Sequence, residues 1–171
     1  MKKVILIAAL FLGATSTFAQ RKSGSNGPVL LNLGIGLSNW GIPVYGGIEG
    51  YVHPDFSLGG VLSYRGYRPR YYGYDYRYSI TTISAVGNYH FNRILNIPRE
   101  WDFYAGLNLG YSIVSYRRPS GAPDYDRSID GIDLGLQVGG RYYFNNKVGL
   151  NLEVGGGTAL SGARFGVTFA L

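Results

Sequence analysis

The sequence predicts an all-β protein: eight antiparallel strands closed in up-and-down order into a barrel. Three observations carry that expectation. Eight segments alternate apolar and polar side chains with a two-residue period, the one unbroken apolar run lies at the N-terminus, and glycine and tyrosine abound while charge is scarce. Among 171 residues there are 27 Gly and 16 Tyr, and charged residues make up only 15%, against roughly 25% in ordinary soluble domains. That balance disfavours a helical enzyme and a charged, water-facing coat. The absence of cysteine excludes disulfides, a thiolate nucleophile, Cys-ligated zinc and a lipidated N-terminal cysteine.

The N-terminus reads as a removable leader, residues 1–19. Lys2 and Lys3 precede an apolar run over 4–12, and Thr17-Phe18-Ala19 presents small side chains at the two positions a signal peptidase reads. A retained anchor helix would need about 20 apolar residues, far more than this run. Without the leader the formal charge falls from +6 by two, and Lys22 and Lys147 are the only lysines left. No basic stripe marks a nucleic-acid partner. Residues 20–28 are polar and rich in Gly and Ser, a flexible tail, and 29–171 form the barrel domain.

The eight segments follow in order. In the first, Val29, Leu31, Leu33, Ile35 and Leu37 share one face and Asn32, Gly34, Gly36 and Ser38 the other. The second sets Val44, Ile48 and Val52 against Tyr45, Glu49, Tyr51 and His53, and His53-Pro54-Asp55 turns the chain. The third sets Phe56, Leu58, Leu62 and Tyr64 against Ser57, Ser63 and Arg65. The fourth, 79–91, sets Ile83, Ala85, Tyr89 and Phe91 against Thr82, Ser84, Asn88 and His90; Val61 and Val86 break the alternation. The fifth is the most regular, with Trp101, Phe103, Ala105, Leu107, Leu109, Tyr111 and Ile113 interleaved by Asp102, Tyr104, Gly106, Asn108, Gly110 and Ser112. In the sixth, Ile132, Leu134, Leu136, Val138, Tyr142 and Phe144 oppose Asp133, Gln137 and Arg141, and Asn145-Asn146-Lys147 closes a hairpin. The seventh carries Val148, Leu150, Leu152 and Val154 against Asn151 and Glu153. The eighth carries Phe165, Val167, Phe169 and Leu171 against Arg164 and Thr168.

A period of two is common to soluble and membrane barrels, so the polar face decides which side is out. Gly, Ser, Asn and Tyr with isolated charges fill a narrow lumen better than they coat a soluble surface. The opposite face is almost uncharged, as lipid requires. Trp101, Phe103, Tyr89, Phe91, Tyr142 and Phe144 gather at one end as an interfacial girdle would. The fold expected is therefore a transmembrane β-barrel; a soluble lipocalin-like ligand-binding barrel is the alternative.

On Phe18-Ala19-Gln20, on Tyr89-His90-Phe91 leading to Trp101-Asp102-Phe103-Tyr104-Ala105-Gly106-Leu107, and on the closing segment from Phe165 to Leu171, the chain resembles the small, eight-stranded outer-membrane β-barrel proteins of Gram-negative bacteria. The likeness spans the mature chain. It implies the cell outer membrane as location, periplasmic termini and insertion by the barrel-assembly machinery. Such barrels usually end in an aromatic residue, whereas this chain ends in Leu171 with Phe169 two residues earlier.

That topology turns the long connections 66–78 and 116–130 outward and the turns at Pro54 and Asn146 inward; the connection 39–43 is short for an outer loop and 92–100 long for an inner one. The first long loop holds Arg68, Arg70 and Arg77 with Tyr71, Tyr72 and Tyr74, guanidinium forks and rings suited to phosphate, carbohydrate or lipid headgroups. The second balances Arg117, Arg118 and Arg127 against Asp124, Asp126 and Asp130. The expected partners are outer-membrane lipid and lipopolysaccharide, and the expected state a monomer with a structural or adhesive, surface-binding role.

Glu49, Arg65, Asp102, Asp133, Arg141, Glu153 and Arg164 fall on the lumen face, with Glu153 nearly opposite Arg164 across the last hairpin. Buried charges persist when paired, and eight strands enclose room only for side chains, so a polar plug is expected rather than a pore. An outer-membrane lipid-modifying enzyme remains an alternative, with His53, His90 and Asp102 as catalytic candidates. No Gly-x-Ser-x-Gly elbow marks a nucleophile. The two histidines and the aspartate lack metal-ligand spacing, so no metal and no cofactor is expected.

Overall fold

The computed structural model describes residues 27–38, 41–67, 70–71, 74–75, 77–117, 131–157 and 162–171. These hold ten strands: β1 (Val29–Ser38), β2 (Val44–His53), β3 (Phe56–Tyr67), β4 (Arg70–Tyr71), β5 (Tyr74–Asp75), β6 (Arg77–His90), β7 (Trp101–Arg117), β8 (Gly131–Tyr143), β9 (Val148–Gly157) and β10 (Gly162–Ala170). Eight close a barrel in the order β1-β10-β9-β8-β7-β6-β3-β2, every neighbouring pair antiparallel. Pairing of β1 with β10, Leu30 against Ala170 through Ser38 against Gly162, seals the eight-stranded sheet so that it has no open edge. β4 and β5 form a separate short ladder between β3 and β6. The described residues contain no helix.

Alternation becomes inside and outside. Ser57, Ser63, Thr82, Ser84, Asn88, Ser112, Gln137, Asn151 and Thr168 are buried in the lumen, whereas Leu107, at 58% exposure, and Leu136, at 65%, stand on the outer surface with most other large apolar side chains. A soluble barrel would carry the opposite arrangement, because no water-facing surface tolerates an apolar belt of that extent. Val86 faces the lumen and is buried there, as are Leu30 and Ile80. They are apolar filling within a polar interior.

Two inward glycines make room for rings. A Cβ at Gly139 would overlap the Tyr104 phenol, and one at Gly166 would sit 2.7 Å from the Tyr45 hydroxyl. A side chain at Gly139 would displace the Tyr104 ring, and one at Gly166 would meet both the Leu33 carbonyl oxygen and the Tyr45 hydroxyl.

The outer surface has a defined height. Trp101 and Tyr111 both face outward on β7; ten residues at about 3.3 Å each, tilted by about 40°, separate them by about 25 Å, the height of a lipid-facing band. Rings cluster at the end where β1 begins and β10 finishes, the terminus-bearing end of the barrel. Phe56 meets Tyr89 at 4.9 Å and Tyr89 meets Phe91 at 5.1 Å, while Trp101 meets Tyr142 at 4.8 Å and stacks on Phe103 at 5.5 Å.

Strand bounds shift from the sequence reading at the opposite end. β3 runs on to Tyr67, β6 begins at Arg77 rather than 79, and β7 continues to Arg117. Pairing between β6 and β7 extends to Arg77 against Arg117, which shortens both long outer connections.

Candidate functional site

The lumen is the site that the strands build. At the terminus-bearing end, Glu49 from β2, His90 from β6, Asp102 from β7 and Arg141 from β8 converge, each side chain at most 8% exposed. Arg141 donates through Nη2 to Glu49 Oε2 and through Nη1 to Asp102 Oδ2, at 2.5 and 2.9 Å, and its guanidinium lies 4.3 Å from the Tyr104 ring centroid. Asn88 Nδ2 donates to Glu49 Oε1 at 3.0 Å.

His90 joins the two carboxylates. Its Nδ1 lies 2.7 Å from Asp102 Oδ1 and its Nε2 2.8 Å from Ser57 Oγ, while Ser57 donates its hydroxyl proton to Glu49 Oε1. A serine has one proton to give. With that proton on Glu49, Ser57 can only accept from Nε2, and Nδ1 faces a carboxylate that only accepts. Nε2 is therefore the donor to Ser57, and Nδ1 faces Asp102 Oδ1 with the Tyr51 hydroxyl 3.4 Å away. Arg141, His90, Glu49 and Asp102 close on one another.

Ser57, His90 and Asp102 have the spacing of a hydrolase relay, and Ser57 is the member that sequence reading missed. It lies in no elbow motif, and only the pairing of Ser57 with Asn88 across β3 and β6 brings it beside His90. A nucleophile's base must offer the hydroxyl a lone pair. Here the imidazole offers a proton, and Ser57 is fully enclosed. This arrangement supports a locked polar cluster rather than an activated serine. His53 stands apart from it, which corrects the inward orientation read from alternation. A register shift between Tyr51 and His53 turns its side chain outward, 59% exposed against 3% for His90, and its Nδ1 accepts from the Asp55 amide. Among the described residues no group of His, Asp and Glu is arranged to hold a metal.

From this cluster hydrogen bonds continue along the axis. Gln137 donates to Asn88 at 2.7 Å and accepts from Asn108 and Arg164 at 3.2 and 3.3 Å; Arg164 pairs with Glu153, which also accepts from Tyr104. Tyr45 donates to Asn151, Asn151 to Thr168 and Thr168 to Asn32, at 2.7, 2.9 and 2.6 Å. Further along, Thr82 meets Ser112, Ser112 donates to Asp133, and Arg65 lies within electrostatic reach of Asp133. A cavity of about 40 Å³ bounded by Tyr45, Ser84, Val86 and Arg164 leaves space for a few water molecules at about 10 to 15 Å³ each. At the terminus-bearing end a vestibule of about 850 Å³ opens outward and stops at Tyr51, His90, Asp102 and Tyr143.

The outer-loop candidates divide. Arg77 is exposed at the start of β6; Arg70, Tyr71 and Tyr74 belong to the β4–β5 ladder by backbone; Arg68 and Tyr72 lie outside the described residues, as do residues 1–26 and most of the second long loop.

No protein-family model matches the sequence, and no curated protein matches it. Solved structures do match its fold. The solution structure of the de novo designed TMB2.3 superposes with a TM-score of 0.58 at 12% identity, covering 88% of this chain and 98% of that one. The N-terminal β-barrel domain of Pseudomonas aeruginosa OprF gives 0.52 at 18% identity, covering 85% and 99%. A structure from the de novo design of transmembrane β-barrels gives 0.51 at 14% identity, covering 89% and 100%. Identities this low make the likeness one of architecture.

Proposed function

We propose that this chain is an integral outer-membrane protein, exported by its N-terminal leader, that spans the bilayer as a monomeric, non-conducting barrel and presents Arg- and Tyr-bearing outer loops to acidic surface ligands. The observation that carries the reading is an apolar belt outside a lumen whose charges bond one another from wall to wall. In that setting the terminus-bearing end is periplasmic, phospholipid and lipopolysaccharide are the immediate partners, and the barrel-assembly machinery inserts the chain. Arg68, Arg70 and Arg77, with Tyr71, Tyr72 and Tyr74, supply the loop's guanidinium forks and stacking rings for phosphate or glycan oxygens.

Two measurements test this. In planar bilayers the wild-type protein should give no steady conductance, and a stable open channel would contradict the plug. Purified barrel should bind lipopolysaccharide more tightly than a variant whose residues 68–76 are replaced by a short Gly-Ser turn. Equal binding by the two would remove the loops from the role.

A further inference from the structure

Residues 92–100 form the longest of the turns at the terminus-bearing end, and they are tightly built. Leu95 N donates to Phe91 O, Ile97 N to Asn92 O and Trp101 N to Pro98 O, each at 3.0 Å. Asn92 clamps the base of the turn: its amide donates to Trp101 O and its Oδ1 accepts from Phe103 N. Arg93 reaches sideways to Asp55 at 3.2 Å and ties the turn to the β2–β3 turn along the rim. Asn96 holds a left-handed φ of 49°, which asparagine tolerates better than most residues.

This rigid turn displays two large aliphatic side chains, Ile94 at 66% and Leu95 at 64% exposure. Asn92, Arg99 and Glu100 line the vestibule, and neither Ile94 nor Leu95 does, so the aliphatic pair is exposed outside the vestibule wall. Both ends of the turn are rings of the aromatic belt, Phe91 and Trp101. Residues 91–98 contain no acid. A turn bound for water carries residues like those of the β8–β9 turn, Asn145, Asn146 and Lys147.

We propose that the 92–100 turn is a lipid-contacting foot: Ile94 and Leu95 enter the interfacial layer of the periplasmic phospholipid leaflet, extending the aromatic belt on one side of the barrel. The inference rests on the membrane-spanning reading. Apolar side chains at that depth leave water for acyl chains as those of interfacial segments do, and the Asn92 clamp and the Arg93–Asp55 pair hold them there.

Since the chain has no cysteine, single-cysteine variants report depth cleanly. Spin labels at Leu95→Cys, Ile94→Cys, Asn146→Cys and Leu107→Cys in the full mature chain, reconstituted in phosphatidylethanolamine/phosphatidylglycerol vesicles, are compared by relaxation with oxygen, which concentrates in lipid, and with a water-soluble nickel chelate. Labels at 94 and 95 should favour oxygen several-fold over nickel, as at 107, while 146 favours nickel. Nickel access at 94 and 95 equal to that at 146, with 107 still in lipid, overturns the foot and leaves those side chains to water or to another protein. Nickel access at 107 as well overturns the membrane reading, and the foot with it.

Discussion

Two stretches of the lumen stabilise buried charge in different ways. Near the termini, Arg141 on β8 bonds Glu49 on β2, strands that stand on opposite sides of the ring, and Asp102 and His90 complete a circuit of four ionisable side chains. Farther along, Arg164 and Glu153 are Cα partners on neighbouring strands, 21% and 13% exposed, and their ion pair crosses no lumen. The first arrangement braces the barrel across its diameter, so it ties barrel closure to charge pairing. The second joins neighbouring strands that backbone pairing already holds, with Gln137 and Tyr104 each adding a neutral hydrogen bond from the strands beyond.

That contrast predicts a graded set of effects. Arg141→Leu leaves two enclosed carboxylates without their guanidinium partner and should cost about 3 to 5 kcal/mol, measured as a loss of unfolding free energy in urea with lipid vesicles present. A loss under 1 kcal/mol would erase the distinction between the two stretches. On the outer surface, Leu107→Arg should cost about 2 to 4 kcal/mol, the price of a charge near mid-bilayer; normal insertion and stability would place Leu107 elsewhere than against lipid. Arg164→Leu should cost about 1 kcal/mol, nearer a surface pair because solvent reaches both partners, in the same titration. Replacing Arg68, Arg70 and Arg77 together by Ser should leave unfolding unchanged within about 0.5 kcal/mol while weakening lipopolysaccharide binding. A fall in stability would mean those arginines brace the barrel rather than face outward.

What the sequence discloses follows from the range of each interaction. Alternation is local, so strand faces could be read from 101 to 113 without any partner, and antiparallel numbering across one hairpin was enough to set Glu153 beside Arg164. Glu49 and Arg141 are 92 residues apart, and no local pattern relates them; only barrel closure does. Ser57 was hidden for the same reason, because a serine on a polar face looks like any other until β6 lies beside β3. His53 misled because period two holds only while the register does, and the shift after Tyr51 breaks it. The length of the 92–100 turn was legible, but not its clamp, since Asn92 looks the same whether it faces water or bonds the far end of its own turn.

The orientation of the two faces underlies all of this, and refolding tests it most directly. The mature chain, diluted from urea into buffer alone and into buffer with phospholipid vesicles, is followed by far-ultraviolet circular dichroism and by heat-dependent electrophoretic mobility. β-structure and a heat-modifiable band that form only with lipid are the predicted result. A folded, monomeric, water-soluble barrel without lipid or detergent would contradict it.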